Sequence, residues 1–264
     1  GSSNGGSNNT VTLYSGSTLL GGIAFNKGNT QETLTFNGLI NGSFNNSISG
    51  LNVINSTNGS SVVMNASTGY ELVMGSIAVD GTSSLNISGV VQNQTSPSAV
   101  ASSITKTGIG TLTLSGANTY SGGTSINAGT IAVGNNTALG TGSVAMATGT
   151  TLQAASSVAL ANAVSVAGTA TVDTNANNLG LSGVISGAGS VNKTGIGTLT
   201  LSGANTYSGG TTVSAGTLAG NTTSLQGNIV NNATVDFSQA SAGTYTGAMS
   251  GTGNLVKKIG RAHV

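Results

Sequence analysis

Hydrophobic and polar residues alternate one by one over short stretches of this chain. In "GTLTLSG", residues 110–116, Leu112 and Leu114 fall on one side and Thr111 and Thr113 on the other. A period of two is typical of a β-strand that buries one face. No window sustains the apolar spacing i, i+3, i+4, i+7 of an amphipathic helix, so the pattern predicts an all-β chain. The same alternation occurs at residues 32–38, 75–81, 83–89, 162–168 and 233–239.

The stretch belongs to a long internal repeat. "ITKTGIGTLTLSGANTYSGGTSINAGTIAVG" at 104–134 returns as "VNKTGIGTLTLSGANTYSGGTTVSAGTLAGN" at 191–221, with residues 106–124 and 193–211 identical. "YTGAMSGTGNLVKK" at 245–258 aligns with residues 181–194 and predicts the start of a third copy. The apolar positions of the two complete copies predict the repeat core: Leu112, Leu114, Ile126, Ile131, Leu199, Leu201, Val213 and Leu218.

Tandem repetition with uncharged outward positions favours a parallel β-helix, or β-solenoid, over a sandwich of hairpins. In a solenoid each strand pairs with the coils before and after it at about 4.8 Å, so like side chains stack in ladders. Charged side chains in a ladder repel each other, whereas Thr and Asn do not. Only 4% of the residues are charged, and we expect the ladders to be the reason.

Glycines and tyrosines mark the predicted corners between strands. Glycine reaches backbone conformations that other residues avoid, which suits tight corners. Tyr120 and Tyr207 are predicted to stack at a corner with the hydroxyl exposed or hydrogen-bonded. An exposed tyrosine ladder that binds sugar is the alternative. The predicted corner glycines are Gly108, Gly110, Gly122 and Gly123 in the first copy and Gly195, Gly197, Gly209 and Gly210 in the second.

Composition excludes several classes of protein. The chain has no cysteine, which removes disulfides and thiolate metal sites. Its formal net charge is +1 without a basic run, which argues against nucleic acid as a partner. No apolar run is long enough to span a membrane. We expect no metal and no cofactor.

Three segments of the chain differ in character. Residues 1–10 form a low-complexity polar start, and residues 11–258 are predicted to be a single β-helical body, with an inserted loop at 92–103 around Pro97. Residues 259–264, "IGRAHV", hold the only arginine and the only histidine of the chain. They resemble one reading frame of a sequencing adapter, so we interpret them as an adapter or assembly scar. A genuine basic end is the alternative.

The stretch "KTGIGTLTLSGANTYSGGT", followed by "INAGT", resembles the passenger-associated transport repeat of bacterial autotransporters. The resemblance implies an autotransporter passenger domain of the type V secretion route in a Gram-negative bacterium. Such a domain is a right-handed parallel β-helix, exported through the outer membrane and found at the cell surface or released. The resemblance also implies that the repeats assist folding and export. The implied partner is the protein's own C-terminal translocator barrel, expected outside this sequence.

We therefore expect a surface-displayed stalk, part of an adhesin for a glycan or protein receptor, and not an enzyme. The alternative is a β-helical enzyme that cleaves polysaccharides. Asp173 and Asp236 would then pair across coils, since glycoside hydrolysis needs two acids about 5 to 9 Å apart. The "GIG" at 108–110 and 195–197 begins like a dinucleotide fingerprint, but no third glycine and no helix follow.

Overall fold

A computed structural model describes residues 10–14, 23–24, 33–37, 42–44, 48–49, 53–57, 61–64, 76–79, 81–93 and 101–259. Over these residues the regular structure is β-strand, and no helix that could cross a membrane occurs among them. The predicted all-β solenoid of stacked parallel strands is confirmed. The chain divides into two compact units, residues 1–142 and 143–264. The single body at 11–258 stays a prediction.

The first unit stacks its described strands in two long parallel sheets and one short one. The first sheet has the order β1-β3-β6-β8-β10-β12, the second β4-β7-β9-β11-β13, and β2 pairs with β5. The strands are β1 Thr10–Tyr14, β2 Ile23–Ala24, β3 Thr33–Asn37, β4 Gly42–Phe44, β5 Ile48–Ser49, β6 Val53–Thr57, β7 Ser61–Met64, β8 Ser76–Val79, β9 Ser84–Ile87, β10 Ile104–Thr107, β11 Thr111–Leu114, β12 Thr124–Ile126 and β13 Thr130–Val133.

The second unit stacks its described strands in three parallel sheets. Their orders are β14-β17-β20, β15-β18-β21-β23-β25-β27 and β16-β19-β22-β24-β26-β28. The strands are β14 Val144–Met146, β15 Thr151–Ala154, β16 Val158–Leu160, β17 Val164–Val166, β18 Ala170–Asp173, β19 Leu179–Leu181, β20 Ile185–Ser186, β21 Val191–Thr194, β22 Thr198–Leu201, β23 Thr211–Val213, β24 Thr217–Gly220, β25 Ile229–Asn231, β26 Thr234–Gln239, β27 Met249–Ser250 and β28 Asn254–Ile259.

The strand pairing gives the length of one coil, a single turn of the solenoid. Thr33 pairs with Val53 and Thr111 pairs with Thr130, so one coil takes about 20 residues. This is near the lower end of the repeat lengths that solenoid proteins use. The coil that contains the predicted inserted loop is longer, since Ser84 pairs with Thr111. Residues 94–100 of that loop, with Pro97, lie outside the described residues.

The five further segments of predicted alternation also form strands. Each of them contains one strand of the structure: β3, β8, β9, β17 or β26. The period-two pattern therefore located strands in both units, inside the repeat and outside it.

The core lies between the sheets of each unit, because strands such as β11, β15 and β18 turn alternate residues inward. β11 and β15 both alternate between half-buried and buried positions, with the apolar residues at the buried ones. Inward residues of successive coils then stack, as Leu85, Leu112 and Ile131 do. The isoleucines of the two "GIG" turns point the other way: Ile109 is 74% exposed and Ile196 is 77% exposed.

We expect substitutions at neighbouring apolar positions of the repeat to differ sharply in cost. Leu199→Ala, at a fully buried ladder position, should lower the free energy of unfolding by about 2 to 5 kcal/mol. Ile196→Ser, three residues earlier at an exposed turn, should change it by no more than about 0.5 kcal/mol. Urea denaturation followed by circular dichroism measures both. Equal losses at the two positions would contradict the assigned faces.

Candidate functional site

The two repeat copies build the same local structure, one in each unit. In the second copy, β21 ends at a "GIG" turn, β22 follows, and the segment 202–210 leads into β23 and β24 of the next coil. In the first copy, β10, β11, β12 and β13 take these places. Each copy therefore spans two successive coils and contains the corners that join them.

The predicted repeat core lies in the interior of both units. Leu112 stacks between Leu85 and Ile131, and Leu199 between Leu179 and Leu218. All eight predicted core residues have at most 1% of their surface exposed: Leu112, Leu114, Ile126, Ile131, Leu199, Leu201, Val213 and Leu218.

The paired glycines at the end of each repeat corner serve two different purposes. A Cβ on Gly209 would lie 2.5 Å from backbone atoms of Gly189, so only glycine permits this close approach of the coils. Gly210 has a φ of +77°, in the left-handed region that side chains disfavour. Gly122 and Gly123 repeat this division, with a close approach to the Ser102 carbonyl and a φ of +86°. Gly108 and Gly195, at the "GIG" turns, also have positive φ.

The two repeat tyrosines are buried at the corners and bonded to the threonine that opens the next strand. Tyr120 is 0% exposed, and its hydroxyl lies 2.5 Å from Thr124 Oγ1. Tyr207 is 2% exposed, and its hydroxyl lies 2.6 Å from Thr211 Oγ1. Of the two predicted orientations the bonded one is found. An exposed tyrosine ladder would need these rings at the surface, so the geometry argues against the sugar-binding alternative.

The expectation that stacked ladders exclude charge is wrong at two positions. Lys106 and Lys193 are fully buried, and each points into the core from the middle of a repeat strand. Lys193 stacks between Val172 and Val213, so no like charge lies beside it in its ladder. Repulsion prevents a row of ionised groups in one ladder. It does not prevent a single ammonium among apolar neighbours, provided that oxygen atoms accept its hydrogen bonds.

Those oxygen atoms come from three successive coils. The Nζ of Lys193 donates to the carbonyls of Thr194 and Gly195 in its own turn, both at 2.8 Å. It also donates to the Ala215 carbonyl of the next coil at 3.0 Å and to Thr174 Oγ1 of the preceding coil at 2.9 Å. Charge-assisted bonds of this kind are stronger than bonds between neutral groups.

Lys106 repeats the arrangement in the first unit. Its Nζ donates to the carbonyls of Thr107 at 2.8 Å and Gly108 at 2.6 Å. It reaches the Ala128 carbonyl of the next coil at 3.3 Å. The carbonyl positions match those around Lys193 one for one, so the ammonium contact is a property of the repeat.

A buried asparagine forms a second contact between coils. Asn118 accepts a bond from the Val91 amide at 2.8 Å and donates to the Ala138 carbonyl at 2.6 Å. Val91 and Ala138 lie in the coils before and after it. Asn205 does the same in the second copy, between the Ile185 amide and the Ser224 carbonyl, both at 2.7 Å. Each side chain bridges two coils that do not touch each other.

Sequence reasoning missed the lysines and the asparagines as interior residues. A charged or amide side chain is seldom buried unless it is paired, so the residue type alone gives no reason to place either in the core. A signal was present in the identical nineteen residues: Lys106 stands two residues after inward-facing Ile104, on the buried side of the alternation. Some of their partners lie one coil away along the chain, such as the Ala138 and Ala215 carbonyls, which no local pattern indicates.

The two aspartates of the enzyme alternative lie on different sheets. Asp173 is on β18, where its carboxylate accepts bonds from Gln153 Nε2 at 2.8 Å and the Asn175 amide at 2.9 Å. Asp236 is on β26 and forms an ion pair with Lys258. The structure gives each carboxylate its own partners and does not bring the two together. Among the described residues, no three His, Cys, Asp or Glu side chains gather as a metal site would require.

Burial changes the acidity of the repeat side chains. It lowers the pKa of Lys193 from 10.5 to about 8, with the Asp173 carboxylate opposing part of the change. It raises the pKa of Tyr120 and of Tyr207, and the hydrogen bonds to Thr124 and Thr211 oppose part of that change. The folded chain therefore loses the lysine proton earlier and the tyrosine protons later than the unfolded chain.

We expect the free energy of unfolding to depend on pH in two opposite ways. From about pH 8 to about pH 10 it should rise, because the unfolded chain keeps a Lys193 proton that the folded chain releases. Above about pH 10 it should fall, because tyrosines ionise in the unfolded chain while Tyr207 stays protonated in the folded one. Urea denaturation between pH 7 and about pH 11 measures both slopes.

Lys193→Met should flatten the rise, and Tyr207→Phe should weaken the fall. A Lys193→Met chain that keeps the full rise would show that Lys193 is not its source.

Comparison with known proteins identifies the family of the two repeats but finds no relative of the whole chain. No curated protein and no solved structure matches it. Residues 104–133 and 191–219 each match the family model described as Passenger-associated-transport-repeat. These matched ranges hold the buried lysines, asparagines and tyrosines and the corner glycines. The two segments are therefore passenger-associated transport repeats, of the kind that autotransporter passenger domains carry.

Proposed function

We propose that this chain is part of an autotransporter passenger, and that its two repeats act as folding units which drive export across the outer membrane. The observation that carries the proposal is the set of buried polar contacts in each repeat. A coil that passes outward unfolded gains these contacts only when it stacks on its neighbours. Export and stacking are then coupled at each repeat.

The contacts support this role because they are costly to leave incomplete. Lys193 and Asn205 each have partners in both the preceding and the following coil. A buried polar group without a partner costs about 1 to 3 kcal/mol, and more when it is charged. A repeat in which only one neighbour has stacked is therefore unstable, and completion of the stack is favoured. Such a unit resists backward movement of the segment that has already crossed.

The solenoid offers a matched pair of deletions that test the export role. Removal of residues 191–210 joins Ser190 to Thr211, and the pairing of Val191 with Thr211 shows that this removes one whole coil. Removal of residues 151–170 also takes out one coil, since Thr151 pairs with Thr171, but leaves both repeats intact. The two deletions have the same length, and because that length is even, the inward and outward faces stay in phase.

We expect only the repeat deletion to impair display. The chain is expressed between an export signal and a translocator barrel, and surface display is measured by antibody labelling and protease accessibility on intact cells. Loss of residues 191–210 should lower display by about tenfold, since a barrier change near 1.4 kcal/mol has that effect on a rate. Loss of residues 151–170 should leave it close to the unchanged chain. Equal display of the two variants would reject a special role for the repeats.

We propose further that the displayed chain is part of an adhesin. The outward row of Thr171, Asn192, Thr212 and Val230 supports this, because four successive strands place these residues side by side. The row is uncharged, and it combines hydroxyl and amide groups with Val230, which is 41% exposed. Surfaces that mix polar groups with apolar area suit recognition of a neutral glycan or an uncharged protein surface.

Adherence of cells that display the chain tests this second role. We expect stronger adherence to glycan-coated surfaces than for cells that display the translocator barrel alone. Joint replacement of Thr171, Asn192 and Thr212 by alanine should reduce adherence at equal display. The matched control is alanine at Thr198, Thr217 and Thr234, an outward row on the neighbouring sheet. No adherence above that of the barrel alone would reject the adhesin.

No contact of the described residues favours the enzyme alternative. Asp173 and Asp236 lie on different sheets with separate partners. That the chain is not an enzyme stays a prediction.

A further inference from the structure

The alternation of inward and outward residues leaves the register of the repeat strands incompletely determined. A slip of one residue would turn the buried face outward, but a slip of two residues keeps every side chain on its own face. β23 is only three residues long and reads Thr-Thr-Val, with Thr211 and Val213 inward. Thr and Val are similar in shape, so the packing of these two side chains by itself distinguishes poorly between the native register and one shifted by two. The bond between Tyr207 and Thr211 and the close approach of Gly209 to the preceding coil also belong to the native register.

The lysine contact distinguishes the two registers because its acceptor in the following coil, the Ala215 carbonyl, lies at the corner just after β23. The Val213 carbonyl within β23 already accepts a bond from the Asn232 amide of the next coil. Lys193 lies opposite Val213 in β23, and its Nζ reaches past that strand to the corner carbonyl of Ala215. A shift of two residues would carry that carbonyl away and remove the contact of the ammonium with the following coil.

We propose that Lys193, and Lys106 in the first copy, are the positioning residues that set the register at which the next coil stacks on the repeat. The inference rests on the proposed folding role. It names the residue that determines in which register the next coil stacks. In the native register the ammonium of Lys193 has acceptors in its own, the preceding and the following coil. In a shifted register the Ala215 acceptor is lost, so the ammonium no longer bonds to the following coil, and that register lacks one charge-assisted hydrogen bond.

The third copy provides a control residue in the same chain. Lys257 on β28 lies opposite Phe237, which is buried, so its position faces inward like that of Lys193. Lys257 is nevertheless exposed, at the edge of a groove of about 240 Å³ lined by Phe237, Tyr245, Met249 and Leu255. Lys257 therefore corresponds to the repeat lysine in its position but is not buried. It lies in the pair β26–β28, whereas Lys193 lies in the pair β21–β23.

Cysteine trapping measures the register directly, because the chain has no cysteine of its own. Thr200 lies opposite Ala219 in the native register, so the pair Thr200→Cys and Ala219→Cys reports that register. Ala219→Cys with Thr198→Cys, or with Ser202→Cys, reports a shift of two residues in either direction. The full chain carrying one pair is refolded from denaturant under reducing conditions and oxidised, and the crosslinked fraction is measured by mass spectrometry.

We expect Lys193→Met to raise the ratio of shifted to native crosslinks by about tenfold, the effect of one hydrogen bond to a charged group. Lys257→Met should leave that ratio unchanged. An unchanged ratio in Lys193→Met, or an equal rise in Lys257→Met, would overturn the proposal.

Lys193→Gln covers the case in which the methionine variant does not fold. Its amide can donate only part of the contact, so it should raise the ratio by a smaller factor, and no rise would again overturn the proposal. The refolding assay contains no membrane, so the register role and the export role can fail independently of each other.

Discussion

The buried polar groups of the repeats have to be satisfied across the gap between successive coils. The strands in the second repeat and beside it are two to six residues long, so little hydrogen bonding is possible within one coil. The parallel ladders satisfy the backbone of the strands. At the corners some backbone bonds between coils continue, as from Gly209 to Gly189, and the side chains of Lys193 and Asn205 add contacts to the coils on either side.

This requirement explains why the repeat is preserved at polar as well as apolar positions. Apolar ladder residues are exchangeable within limits, since Ile126 in one copy corresponds to Val213 in the other and both are buried. A lysine whose ammonium has three or four oxygen acceptors allows no such exchange. The repeat glycines are equally restricted, because Gly195 at the turn after β21 has positive φ and Gly209 at the corner before β23 lies against the preceding coil. The corners of the repeat therefore combine several constraints that must all be met together.

The same contacts connect the fold with transport. A solenoid is stabilised mainly by interactions between neighbouring coils, so it can form progressively as its chain becomes available. The polar contacts of each repeat involve the coil before it and the coil after it. They are therefore complete only when both of these coils have stacked. The low charge of the chain fits this picture, since ladders of like charge would oppose stacking. The two buried lysines of the described residues occur one per repeat, where their ammonium groups contact successive coils.

The sequence by itself determined the fold class, the repeat and the residues of its apolar core. Period-two alternation depends on neighbours one and two positions apart, and local pattern is enough to assign faces such as those of Leu112 and Leu114. It could not determine which polar residues are interior. Lys106, Asn118 and their counterparts find acceptors in other coils, and only the tertiary structure brings those carbonyls within 3.3 Å of them. Whether a charge can be buried depends on that distance, which is fixed when one coil stacks on the next.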